Sequence, residues 1–318
     1  MASIKWRVAA SAILFVSDPA FAQGQQQSEG FDAHGFQLAP HDADLRDPLV
    51  VQRPGAFSAG DFFISGIAEY AESPLIQVES AEFGKQEVES AVLDNVVALN
   101  MSVGVAFHDY LRIDAKVPVY FATSGLVQGG QIGTEGPAPG DIRVSAMLMG
   151  VRPRHVVGAG GFGFALIGHG DIPSGTPDRF LGQDGIAGGA RLAATYEFPV
   201  VTLTGDVGTQ FNPSLDNFAN LNGSNTMLTS AGIGFLASDQ VGINFEVAAA
   251  PPFEAPENLS FPAEGITSLR YKDPNNGSFW TFGGAVGLTS GPGVAAYRFF
   301  IGGGFAQQEP PRQPDFDT

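Results

Sequence analysis

From about Ala59 onward, bulky apolar side chains alternate with small or polar ones. In 97–108 the odd positions are Val97, Leu99, Met101, Val103, Val105 and Phe107, and the even ones are Ala98, Asn100, Ser102, Gly104, Ala106 and His108. In 241–248, Val241, Ile243, Phe245 and Val247 oppose Gly242, Asn244, Glu246 and Ala248. The stretch "LRIDAKVPVYF" (111–121) sets Leu111, Ile113, Val117, Val119 and Phe121 against Arg112, Asp114 and Lys116. Period two places successive side chains on opposite faces of a strand. Twelve such segments are predicted, near 60–73, 92–107, 110–122, 141–152, 155–168, 186–198, 200–211, 227–238, 240–251, 263–273, 278–289 and 293–306. The first is the least regular, because Phe62, Phe63, Ile64 and Ile67 fall on both parities.

The connections alternate as well. Short turns fall near 108–109, 152–155, 199, 238–239 and 274–277, and long ones near 74–91, 123–140, 168–185, 211–226 and 251–263, until a short "SGPG" at 290–293. Short turns on one side, long loops on the other and an even strand number describe a bacterial outer-membrane barrel. A soluble two-sheet sandwich also alternates, but its polar face is exposed, where Lys, Glu and Thr are common and Gly is disfavoured. Here that face is largely Gly, Ala, Ser and Thr with sparse charges of both signs, which suits a crowded barrel interior. The expected fold is therefore all-β: a transmembrane antiparallel up-and-down β-barrel of about twelve strands over 59–306. Aromatic residues near the strand ends, such as Tyr110, Phe121, Tyr196, Trp280 and Phe305, fit interfacial girdles.

Residues 1–22 read as a signal peptide: Lys5 and Arg7 precede a short apolar run, and Ala20-Phe21-Ala22 supplies a small-x-small cleavage site. Residues 23–58 carry no sustained period and are expected to form an extended, loosely ordered periplasmic lead-in, and 307–318 a Pro- and Asp-rich tail. The absence of cysteine excludes disulfides and a lipoprotein anchor. With 16 Lys plus Arg against 33 acidic residues, and no clustered cations, a nucleic-acid partner is excluded.

No motif points to catalysis. None of the five histidines (His34, His41, His108, His155, His169) stands in a metal-ligand spacing, and only His169 could serve a loop or rim active site. The runs "GAGGFGF" (158–164) and "GIAGGAR" (185–191) lack the helix that a phosphate loop needs and read as strand glycines. The three Asp residues of 168–185 lack the ligand spacing of a calcium loop. No enzyme activity, metal or cofactor is expected. The best functional lead is the set of charges on the small face: Arg112, Asp114, Lys116, Asp141, Arg143, Arg191, Glu197, Asp206, Glu246, Arg270, Lys272 and Arg298 should all point into the lumen. Buried charges must be paired or hydrated, so they form either a plugging network or the lining of a water path.

The phrases "RDPLVVQRPG" (46–55), "LDNVVALNMSVGVAFHDYLRIDAKVPVYF" (93–121) and "GDIRVSAMLMGVRP" (140–153) resemble the barrel part of OmpA-family outer-membrane proteins of the type with thrombospondin type 3-like repeats. The resemblance implies an outer-membrane barrel, contact with membrane lipid and lipopolysaccharide, and insertion by the barrel-assembly machinery. In that family a Pro-rich linker leads to Asp-rich repeats and a peptidoglycan-binding domain. Here the sequence stops at Asp315-Phe316-Asp317-Thr318, so peptidoglycan binding is not expected of this chain. Two functions stay open: a porin-like channel passing small polar solutes through a charge-lined lumen, or a plugged structural or surface-binding barrel acting through long outer loops.

Overall fold

The computed structural model describes residues 36–39, 44–55, 57–79, 87–127, 130–133, 137–153, 161–176, 181–183, 185–212, 225–253, 261–289 and 293–307. Its strands, in chain order, are β1 (Phe62–Glu79), β2 (Glu87–His108), β3 (Leu111–Val127), β4 (Gly130–Gly133), β5 (Ala138–Pro139), β6 (Ile142–Val151), β7 (Gly161–Ile172), β8 (Ala187–Glu197), β9 (Val201–Phe211), β10 (Thr226–Ser238), β11 (Val241–Ala249), β12 (Ala263–Lys272), β13 (Ser278–Gly287) and β14 (Tyr297–Gln307). Twelve of them pair antiparallel with their chain neighbours, and β1 also pairs with β14, from Phe62↔Gln307 to Glu72↔Tyr297, which closes the ring. The two short pieces, β4 and β5, lie against the far end of β3. Among the described residues there is no helix.

The sheet closes because alternation is kept all the way round. Ile113, Leu166, Leu192, Leu203, Phe282 and Ile301 point outward and are exposed, while Asp114, Ala165, Ala193, Thr204, Thr281 and Phe300 point inward and are buried. An exterior of Val, Leu, Ile and Phe makes sense only against lipid, and a closed ladder is what lets strands cross hydrocarbon without orphaned backbone groups. Outward aromatics gather near the short turns. Phe62 lies 5.9 Å from Phe305, and Tyr196 lies 4.7 Å from Phe198. Trp280 pairs across the ladder with Tyr271. A second group, Phe121, Phe211, Tyr297 and Phe299, stands toward the other end, so the belt between them has an aromatic margin at each side. Val207, outward near the middle of β9, is a test of the belt. Val207→Arg should lower stability by about 2–4 kcal/mol, read as a lower urea midpoint in lipid vesicles; an unchanged midpoint would mean that this face does not meet lipid.

Three expectations are revised. The stretch 74–91 is not a free loop over its described part: β1 and β2 continue as a ladder to Glu79↔Glu87, with register shifts after Glu72. The stretch 123–140 likewise carries strand, since β3 runs to Val127 and turns back through β4. The irregular parity of the first strand resolves with Phe63, Ser65, Ile67, Glu69 and Ala71 inward and Phe62, Ile64 and Ala68 outward. Both faces carry large apolar groups because this side of the lumen is packed: Ile67 joins a buried cluster with Leu38, Leu49, Ile266 and Phe300, and Phe63 one with Phe279.

Candidate functional site

The lumen is occupied by the chain's own N-terminal part. Residues 36–39 and 44–55, here called the strap, lie inside the ring, and Leu38, Leu49 and Val51 are fully enclosed. The loosely ordered lead-in expected over 23–58 is thus revised where it is described, for a reason periodicity could not show. The strap uses backbone atoms and single side chains, held one by one by groups on the wall.

Those contacts run from one end of the barrel to the other. Arg298 donates to the Phe36 carbonyl at 2.8 Å, and Ala39 N–H donates to the Leu49 carbonyl at 3.1 Å, so the strap doubles back on itself. Near the short turns Arg270 donates to the Asp44 carbonyl at 2.8 Å, Asn244 to the Leu45 carbonyl at 3.0 Å, and Arg46 to the Phe198 carbonyl at 3.0 Å. Midway, the Glu246 carboxylate accepts from the backbone N–H groups of Leu49, Val50 and Val51 at 2.7, 2.8 and 3.1 Å. Asp206 accepts from Gln52 N–H at 2.8 Å, and Glu197 from Arg53 at 2.6 Å. Wall glycines make room. A Cβ on Gly242 would stand 2.2 Å from the Leu45 carbonyl oxygen, and one on Gly234 2.7 Å from that of Arg46, so neither position admits a side chain with the strap in place.

Asp44 shows how the strap tolerates its own charges. Burial would raise its carboxyl, but the Arg53 and Arg46 guanidiniums outweigh burial and hold it well below the usual carboxylate range. A lowered carboxyl adds stability above its unfolded pKa and loses it only as pH falls through the lowered value, so this tie persists through mild acid.

All twelve residues expected to face the lumen are on the inner face, with Arg143, Arg191 and Lys272 less deeply buried than the rest. The structure brings most of them together as pairs. Arg112 meets Asp114 at 3.0 Å and lies over the Phe57 and Phe63 rings at 5.5 and 5.8 Å. Arg191 meets Asp206 at 3.0 Å, and Arg143 binds Asp171 through two nitrogens at 2.6 and 2.9 Å. Arg298 bridges Glu264 at 2.8 Å and Glu69 at 3.3 Å, and Arg270 reaches Asp47 at 3.5 Å. Asp141 faces inward at the long-connection end, where it accepts backbone N–H groups of Ser174, Gly175 and Gln183 and pins that connection. Sequence reasoning missed Glu69, Asp171 and Glu264: Glu69 and Glu264 lie inside the expected strands, Glu69 in the one of irregular parity, and Asp171 lies in β7 beyond the expected strand end at 168. It also missed Asp44, Arg46, Asp47 and Arg53, which carry no periodic signal. Of the loop candidates, Asp171 belongs to β7, while Asp178 and Asp184 lie outside the described residues, as do His34, His41 and His155 and the 1–22 and 308–318 segments. His169 hydrogen-bonds to Gln210, which in turn donates to Asp171 at 2.9 Å.

Toward the long-connection end the packing leaves a cavity of about 180 Å³ between the strap and strands β6 to β11. It is lined by strap residues Phe36 and Val50, by Ala248 and Ala250, and by Arg143 and Arg191.

Neither a protein-family model nor a curated protein matches the chain. Among solved structures, an outer membrane channel from Pseudomonas putida F1 superposes with a TM-score of 0.58 at 9% identity, over 80% of this chain and 98% of that one. The KdgM porin gives a TM-score of 0.44 at 10% identity over 77% of this chain and 99% of its own. A toluene transporter of Ralstonia pickettii gives 0.37 at 11% identity over 89% and 99%. The first of these shows a shared fold, that of an outer-membrane β-barrel.

Proposed function

We propose that the chain is an outer-membrane, porin-like barrel that passes small polar solutes by diffusion, with the strap as the constriction that limits their size. The observation that carries this reading is the way the strap is held: no described strap residue joins the wall's ladder, so it can shift without opening the barrel. The paired inner charges keep the wall polar and hydratable once the strap moves. Export through the 1–22 signal peptide, contact with lipopolysaccharide, insertion by the assembly machinery and kinship with OmpA-family barrels belong to the same proposal; peptidoglycan binding and enzyme activity form no part of it.

The filled lumen favours a second reading, a plugged barrel that serves as a structural or surface-binding protein. Planar-bilayer recordings of the whole protein and of a variant lacking residues 36–55 separate the two. Channel function predicts small steps from the whole protein and steps several-fold larger from the variant. A variant that refolds, shown by its heat-modifiable gel shift, yet conducts no more than the whole protein, would overturn the channel reading and leave the plugged one.

A further inference from the structure

The cavity beside the strap has a one-sided chemistry. Its charged lining residues are Arg143 and Arg191, and among the described residues no carboxylate lines it. The acids that partner these arginines, Asp171 and Asp206, are not among the residues that line it. Arg191 is engaged by a described residue through Nη1 alone. Lys116, inward on β3, stands directly across the ladder from Arg143. A guanidinium with edges left unengaged in a confined polar space favours an anion.

Its apolar lining residues include Phe36, Val50, Leu228 and Ala248. Neutral amides, Gln183 and Gln210 among them, line it as well. The Gln183 side-chain oxygen is buried with no hydrogen-bond partner, although its nitrogen donates toward Asn212 at 3.4 Å. The volume of about 180 Å³ corresponds to about six waters at ~30 Å³ each.

From the unengaged edge of Arg191, the lack of a lining carboxylate among the described residues and the apolar lining residues together, we infer that this cavity is a binding site for a small organic carboxylate, with its carboxylate on Arg191 and its short apolar body against Phe36, Val50 and Ala248. Inorganic anions lack the apolar body, and neutral solutes leave the cationic side unanswered. The inference names the solute class of the channel proposed above and depends on that reading for passage, not for binding.

Calorimetric titration of the refolded whole protein with pentanoate, pentanamide and inorganic phosphate tests it. Saturable pentanoate binding is expected, with pentanamide and phosphate each at least about tenfold weaker. Arg191→Gln should weaken pentanoate by about tenfold or more, the scale of a charge-assisted hydrogen bond lost. Because Arg191 also pairs with Asp206, a second variant, Ala248→Leu, fills the apolar side without touching any charge and should abolish binding with the gel shift retained. Pentanamide binding as well as pentanoate, phosphate binding better than pentanoate, or pentanoate affinity unchanged in both variants would each overturn the site. Binding without conductance would leave the site standing and sink the channel, whereas conductance without binding would do the reverse.

Discussion

Replacing Arg298 with methionine is expected to lower the stability of the barrel by about 3–5 kcal/mol, the usual cost of breaking a buried ion pair from one side. Arg298 on β14 bridges Glu69 on β1 and Glu264 on β12, and it also holds the Phe36 carbonyl of the strap. All three side chains are essentially sealed from solvent. Methionine fills much of the volume but leaves two enclosed carboxylates without the guanidinium that bridges them. The triple variant with Glu69→Gln, Glu264→Gln and Arg298→Met should recover much of the loss, because a neutral set of similar shape removes the uncompensated charge. Urea unfolding in lipid vesicles reads both; a single variant as stable as the parent would show that the bridge contributes nothing.

The second large effect concerns the strap. Glu246→Ala removes the acceptor for three consecutive backbone N–H groups, and hydrogen bonds to a charged group are worth about 1.5–3 kcal/mol each. The loss falls on the strap, because β11 keeps its ladders to β10 and β12. Conductance should therefore rise toward that of the strap-deleted protein, and the strap should become open to protease, with the heat-modifiable shift unchanged. Glu246→Gln should fall between, since its amide keeps one acceptor oxygen but turns a donor toward N–H groups that are donors themselves. Parent-like conductance and protease resistance in Glu246→Ala would mean that the strap is anchored elsewhere.

The barrel wall is legible in the sequence because lipid on one side and a tight polar interior on the other impose the same alternation on every strand. Val103 and Val105 against Ser102 and Gly104 tell, by their alternation alone, which way each side chain points. The rule weakens where the interior is itself apolar. Phe63 and Ile67 point inward, onto the packed side of the lumen, and so disguise β1. The strap is illegible for a different reason. Its hold on Glu246 and Asp206 is through main-chain N–H groups, which every residue but proline carries, so nothing in "DPLVVQ" marks it as an interior segment. Arg112, Arg191 and Arg298 could be placed inward by parity, and so could Asp114, the partner of Arg112 on the same strand, whereas the partners of Arg191 and Arg298 depend on which strands become neighbours. Arg298 with Glu69 needs the closing of the ring, which joins residues from opposite ends of the chain.

The strap stands immediately before β1, yet it grips β8, β9, β11, β12 and β14. These contacts bring the stretch ahead of β1 close to strands far along the chain. Once Leu49 to Val51 sit on Glu246, the stretch just ahead of β1 is already beside β11, and the gap left for β1 to find β14 is far shorter than the whole chain. Shorter closures cost less chain entropy. The contacts that narrow the finished lumen therefore also shorten the loop that the β1–β14 seam has to close.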